Sequence, residues 1–107
     1  MSTDGWSVLE GVTPQSTWPA RAKLAGESII LVDTGSGLRG IERACPHQKA
    51  TMMDSTLMAN GKMIRCFLHN YTFKLSDGKG VNCPGFRLRV FEVREEEGTL
   101  LGREVPG

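Results

Sequence analysis

Residues 45–69 read CPHQKATMMDSTLMANGKMIRCFLH, a stretch that opens on Cys45-Pro46-His47 and closes on Cys66-Phe67-Leu68-His69. Between these two cysteine–histidine pairs lies Asn60-Gly61, flanked by Leu57-Met58-Ala59 and Lys62-Met63-Ile64. Asn-Gly is the strongest short hairpin signal, because both residues tolerate positive φ. A hairpin at this point sends its two strands back to the same end of the structure, each leading to one Cys-His segment. The chain has only 2 histidines and 3 cysteines, so both histidines are committed to such a pair.

Working outward, the apolar runs stay short and are separated by turn residues, the pattern of many short strands. The expected strands are Trp6 to Leu9, Ala20 to Leu24, Ser28 to Val32, Leu38 to Ala44, Thr56 to Ala59, Lys62 to Cys66, Thr72 to Leu75, Leu88 to Val93 and Thr99 to Glu104. Gly35-Ser36-Gly37 and Asp77-Gly78-Lys79-Gly80 supply further turns. No segment sustains a helical period, and the stretch from Gly11 to Ser16 suggests at most one helical turn. The fold expected is all-β, antiparallel hairpins packed into a sandwich or barrel. At 107 residues, one domain over 1–107 is expected, with both Cys-His pairs in a part at approximately 44–76.

Composition narrows the function. Basic and acidic residues nearly cancel, 13 against 12, so no strong field points to nucleic acid or an anionic membrane. The start, MSTDGWSVLEG, lacks the basic and apolar regions of a secretory signal. The longest apolar run, Ile29-Ile30-Leu31-Val32, is strand-sized, far short of the roughly 20 residues that span a bilayer. A cytoplasmic protein is expected, and the odd cysteine count argues for ligands, a reactive thiol or small buried side chains over a disulfide framework.

Cys45, His47, Cys66 and His69 form a candidate four-ligand set. Buried cysteines beside unrelated histidines would produce the same letters, and two Cys with two His also satisfy tetrahedral zinc. Structural zinc, however, usually takes Cys-x₂₋₄-Cys knuckles, and a Cys-x-His first half suits a single small ion poorly. An elongated [2Fe–2S] cluster explains the spacing better. One iron takes both cysteines and the other both histidines, one of each from either segment.

Cys45-Pro46-His47-Gln48 and Cys66-Phe67-Leu68-His69 resemble the Rieske pattern Cys-x-His followed, after a gap of similar length, by Cys-x-x-His. The likeness extends to Tyr71 and Phe73, the Asp77-Gly78 turn and Cys83-Pro84-Gly85-Phe86-Arg87-Leu88. It is greatest to stand-alone Rieske ferredoxins of bacterial ring-hydroxylating dioxygenases and aromatic monooxygenases. The chain departs from the family at Leu68, Asn70 and Lys49-Ala50-Thr51, and none of these removes a ligand.

The resemblance implies one [2Fe–2S] cluster held by Cys45, His47, Cys66 and His69. It also implies a third loop at Pro84-Gly85 that shields the cluster, and histidine edges exposed at the tip. The implied role is an electron carrier and not an enzyme. Its implied partners are an NAD(P)H-dependent flavin reductase and a terminal oxygenase, docking transiently near His47 and His69. A small subunit fixed in a reductase complex, such as nitrite reductase, is the alternative.

Respiratory Rieske proteins carry a disulfide between the two loops, but the corresponding positions here are Ala50 and Leu68. Their hydroxyl donors two and four residues after the second histidine are replaced by Tyr71 and Phe73. Fewer hydrogen bonds to sulfur leave the added electron less stabilised, so the expected potential is near the bottom of the Rieske range, about −150 mV.

Cys83 is expected to be a small buried side chain. Met52, Met53, Met58 and Met63 read as core fillers, with Met52 or Met53 as candidates for an apolar rim around the histidines. Trp6 and Trp18 read as packing residues. The run Glu95-Glu96-Glu97-Gly98 reads as a solvated hairpin loop, with a partner-docking patch as the alternative.

Overall fold

The computed structural model describes residues 5–43, 52–66, 71–82 and 85–105. Among them are nine strands: β1 Ser7–Glu10, β2 Ala20–Leu24, β3 Glu27–Asp33, β4 Leu38–Glu42, β5 Thr56–Met58, β6 Met63–Arg65, β7 Thr72–Lys74, β8 Val90–Glu96 and β9 Thr99–Glu104. Strands β1-β2-β3-β4-β8-β9 close into a barrel, with β9 returning to β1 through Ser7↔Gly102 and Val8↔Leu101. Strands β5-β6-β7 form a separate sheet, inserted in the sequence between β4 and β8. Every pairing is antiparallel. The all-β expectation holds, and each expected strand is present, most with ends shifted by a residue or two.

The apolar run in β3 explains how the two sheets share a centre. Side chains of a strand alternate between its faces. Ile29 and Leu31 lie in one buried cluster with Leu9, Leu24, Phe91 and Leu100, within the barrel strands. Ile30 and Val32 lie in a second cluster with Ile64 and Phe73 of the small sheet, together with Leu75, Leu88 and Val90. A strand buried on both faces reads as an unbroken apolar run, and this is the one such run in the chain.

Two local expectations change. The hairpin between β5 and β6 is a four-residue connection, Ala59 to Lys62, in which Ala59, Asn60 and Gly61 all have positive φ (55°, 58° and 84°). Gly61 N donates to Met58 O and Lys62 N to Ala59 O, so the turn begins one residue before Asn60. Gly61 is required by space as well as by φ, since a Cβ there would sit 2.1 Å from Thr34 O of the β3–β4 turn. Secondly, Glu95 and Glu96 extend β8 opposite Leu100 and Thr99, leaving Glu97-Gly98 as the turn. Continued pairing with β9 lengthens β8 despite the charges, all of which stay exposed. The turn expected within Gly11 to Ser16 is present at Thr13 to Ser16, closed by Ser16 N donating to Thr13 O, and a 3-10 turn at Met52–Asp54 is an addition to the expected elements.

The Asp77-Gly78 turn forms as expected. Gly78 N donates to Lys74 O and Leu88 N donates to Gly78 O, both at 2.8 Å. The Leu88 carbonyl lies 1.7 Å from where a Cβ on Gly78 would be, so this turn joins the small sheet to the approach of β8.

Candidate metal centre

β6 leads directly into Cys66, which has no exposed surface and belongs to the cluster containing Ile64, Phe73, Leu88 and Met52. Its backbone N donates to Tyr71 O at 2.8 Å, joining the ends of the segment that carries His69. The segment carrying Cys45 and His47 is closed in the same way. Met52 N donates to Arg43 O at 2.9 Å, and the Met52 side chain is fully buried in the Cys66 cluster. The two chemistry-bearing segments are therefore each pinched at the base by one backbone hydrogen bond, and an anchor of each lies in a single core. Cys45, His47 and His69 themselves lie outside the described residues.

The chain beyond β7 passes alongside this base. Val81 N donates to Thr72 O at 2.8 Å, and Thr72 N donates to Asn82 Oδ1 at 2.9 Å. The Tyr71 and Phe86 rings stack with centroids 6.4 Å apart and planes 17° from parallel. These contacts flank the expected third loop, although Cys83 and Pro84 lie outside the described residues.

Burial bears out the core reading of Met52 and Met53 and overturns it for Met58. Met52 has no exposed surface, so it is core and cannot form a rim for a partner. Met53 packs half-buried against the same cluster, and Met58 is exposed at the hairpin. Phe73 is likewise fully buried and contributes packing. Trp6 packs beneath two guanidinium groups, Arg94 at 4.5 Å and Arg103 at 4.7 Å from its ring centroid. Trp18 packs against the barrel core.

A polar network holds the end of the barrel from which the first segment departs. Glu42 closes β4, and its N donates to Arg89 O while its Oε1 accepts from Arg89 N at 2.8 Å. The Arg89 guanidinium pairs with both oxygens of Glu27 and with both oxygens of Glu104, the latter at 2.7 and 3.0 Å. β3, β4 and β9 are thus tied to the approach of β8. Partial burial pushes the Glu42 carboxyl above its ordinary range, against the Arg89 hydrogen bond and charge. The hydrogen bonds from Arg89 hold Glu104 below that range. Nothing local in the sequence signals this network, because Arg89 and Glu27 are 62 residues apart.

Among the described residues no group of three or more His, Cys, Asp or Glu gathers at metal-binding distance. The surroundings of Cys66 nonetheless fit a thiolate ligand of an iron–sulfur cluster. The sulfur side chain is dry, lies among apolar neighbours and sits at a strand end where a short closed segment begins. Two thiolates and two imidazoles are the donor set that such a mixed-ligand cluster takes. Among the described residues no helix is long and apolar enough to cross a membrane.

Comparison with known proteins places these features in a family. Residues 9–92 match the Rieske [2Fe-2S] domain. The chain is 30% identical over 92 residues to the terminal oxygenase component CarAa of carbazole 1,9a-dioxygenase from a Sphingomonas species, a match covering 78% of this chain and 24% of that protein. It is 27% identical over 73 residues to the ferredoxin component of the alkene monooxygenase system of Xanthobacter autotrophicus, covering 68% of this chain and 59% of that protein. The chain therefore spans about a quarter of the first relative and well over half of the second.

Among solved structures, a chain from the complex of reduced oxygenase and oxidized ferredoxin in carbazole 1,9a-dioxygenase superposes with a TM-score of 0.71 at 23% identity, covering 96% of this chain and 98% of that one. A protein described as a nitrite reductase (NADPH) small subunit superposes with a TM-score of 0.75 at 19% identity, covering 91% and 96%. At those identities the superpositions speak for the fold. Together with the domain match across most of its length, they make the chain a member of the Rieske [2Fe-2S] domain family, whose hallmark is an iron–sulfur cluster of the 2Fe–2S type.

Proposed function

We propose that this protein is a Rieske ferredoxin that carries single electrons from an NAD(P)H-dependent flavin reductase to a terminal oxygenase in the oxidation of aromatic compounds. In this reading residues 1–107 form one Rieske unit, with the cluster-binding part at approximately 44–76. One [2Fe–2S] cluster is held there by Cys45, His47, Cys66 and His69, and it supplies reversible uptake and release of one electron. The carrier is cytoplasmic, and its partners dock transiently near His47 and His69.

The observation that carries the reading is the shared anchorage of the two segments. Met52 and Cys66 are fully buried in one cluster, and each segment is closed by its own backbone bond. The chain's own residues would do three things for such a site. Cys66 offers a sulfur sheltered from water, which discourages oxidation and exchange of the ligand. Ile64, Phe73 and Leu88 hold that sulfur in a rigid apolar setting. The stacked Tyr71 and Phe86 rings cover the side where the chain approaches its third loop. Without the disulfide and the hydroxyl donors of the respiratory type, a potential of about −150 mV is expected. Brief docking needs only a small interface, in keeping with a shuttle. The relative named as the ferredoxin component of an alkene monooxygenase system supports the assignment to an oxygenase.

A subunit fixed in a reductase complex is the competing assignment, favoured by the close superposition on a nitrite reductase small subunit. Two measurements test the proposal. Purified protein should be red-brown and, when reduced, give an EPR signal with average g below the free-electron value. His47→Ala and His69→Ala should each abolish the signal, and Cys83→Ala should keep it. Reconstitution with candidate reductase and oxygenase components then scores substrate turnover. Equal turnover without this protein rejects the shuttle, and permanent co-purification with a large reductase favours the fixed subunit.

A further inference from the structure

An open cleft lies away from Cys66 and Tyr71, at the opposite end of β6 and β7. Its volume is about 430 Å³, and its lining includes Thr34 and Arg39 from the barrel and Lys62, Met63, Lys74 and Leu75 from the small sheet. The close approach of Gly61 to the Thr34 carbonyl brings the hairpin against the β3–β4 turn at this cleft. Three basic residues thus line one cavity, and among the described residues no carboxylate lines it.

The acids nearest this cleft have partners of their own. Arg39 stands opposite Glu92 in the β4–β8 ladder, yet Glu92 accepts from Arg103 Nε at 2.7 Å. The two acids nearest in sequence cap their own turns: Asp33 Oδ1 accepts from Gly35 N at 2.9 Å, and Asp77 Oδ1 from Lys79 N at 3.0 Å. The ion pairs among the described residues involve Arg89, Arg94 and Arg103. Arg39, Lys62 and Lys74 take part in none of them. Like charges gathered around a cavity repel, and an anion of matching size relieves that cost. The cavity falls within the size range of small-molecule sites, and Met63, partly exposed, gives it apolar surface that a bare inorganic anion would not use.

We propose that this cleft binds a small organic anion bearing two or three carboxylates, and that the bound anion clamps the small sheet to the barrel. Arg39 offers a planar fork suited to one carboxylate, and Lys62 and Lys74 offer point charges to the others. The carbon body of the ligand covers Met63. Because contacts come from both sheets, occupancy favours the state in which the sheets are docked, and stability rises with ligand concentration.

The test is isothermal titration calorimetry and thermal melting of the purified full-length protein as isolated, with isophthalate and with tricarballylate. Inorganic phosphate and sodium chloride at matched ionic strength serve as comparisons. Saturable one-to-one binding of either carboxylate, with a rise in melting temperature, is the expected result. Lys62→Ala, Lys74→Ala and Arg39→Ala should each weaken that binding about tenfold while leaving the ligand-free melting curve close to the parent's. Arg39→Lys should retain part of the affinity. An absence of saturable heat overturns the proposal. So does an equal response to phosphate at matched ionic strength, or binding that all three alanine variants leave unchanged.

Discussion

The barrel and the small sheet are built from the same kind of residue but held together differently. In the barrel, strands of up to seven residues pair in a closed ring, so each has a hydrogen-bonded neighbour on both sides. The small sheet has three strands of three residues each, two of them edges. It survives because Ile64 and Phe73 are buried against Ile30, Val32 and Val90 of the barrel strands, and because Gly61 and Gly78 let its turns touch the β3–β4 turn and the chain leading into β8. A three-residue strand has little stability of its own. The barrel thus acts as a foundation, and the small sheet is a platform whose order depends on contact with it. That division suits a site in which rigid ligand placement is wanted at the end of short, closed segments.

The comparison breaks most clearly in the two cores. Phe73→Ala and Phe91→Ala each remove a side chain with at most 1% exposure, and each should cost about 3–5 kcal/mol in chemical denaturation. Phe73 belongs to the cluster with Cys66, and Phe91 to the barrel cluster. Iron per folded protein should therefore fall sharply in the Phe73 variant and stay near the parent value in the Phe91 variant. Equal iron loss in both would show that the two regions do not differ in the way described.

A smaller effect is expected where the platform touches the foundation. Gly61→Ala places a methyl group 2.1 Å from the Thr34 carbonyl at a φ of +84°, and should cost about 2–3 kcal/mol. Hydrogen exchange should then speed up at the amides of β5 and β6 while those of β3 remain protected. Uniform acceleration through both sheets would contradict the separation.

The smallest effects belong to the barrel's polar network. Arg89 is partly exposed, with a side-chain exposure of 38%, so solvent screening limits the loss in Arg89→Ala to about 1 kcal/mol at neutral pH. The folded-state lowering of Glu104 contributes stability above its ordinary value of 4.5 that fades as pH falls through the folded value. The Arg89 penalty should shrink over the same acidic window. Glu42 runs the other way. Its folded value is raised, so its contribution is complete below 4.5 and is lost as pH rises through the folded value. Glu42→Gln keeps an acceptor for Arg89 N and removes the charge. It should be slightly more stable than the parent near pH 7 and equal to it below pH 4.5. Melting curves across pH 3–8 check both signs, with a stability loss in Glu42→Gln at neutral pH as the contrary outcome.

The strand pattern was legible because it rests on local chemistry: alternating or continuous apolar residues bounded by Gly, Asn and Asp. The Cys-His pairs were legible for the same reason, as short-range spacing in a chain with few histidines. What escaped reading depends on distant partners. The β5–β6 turn starts at Ala59 because the hairpin must pass the Thr34 carbonyl, and no residue near Asn60 encodes that neighbour. Glu95 and Glu96 read as loop from their charge, yet pairing with Leu100 and Thr99 draws them into β8. The Arg89 network joins elements from four places in the chain.

Strand β3 is a party wall one backbone thick. A volume change at Ile29 or Leu31 presses on the interior of the ring, and one at Ile30 or Val32 presses on the floor beneath Cys66. Neighbouring letters therefore answer to different tenants. An engineer could retune the Cys66-facing side through the even positions while leaving the odd ones alone. Insertion or deletion of a single residue would exchange the two sets and compromise both compartments at once.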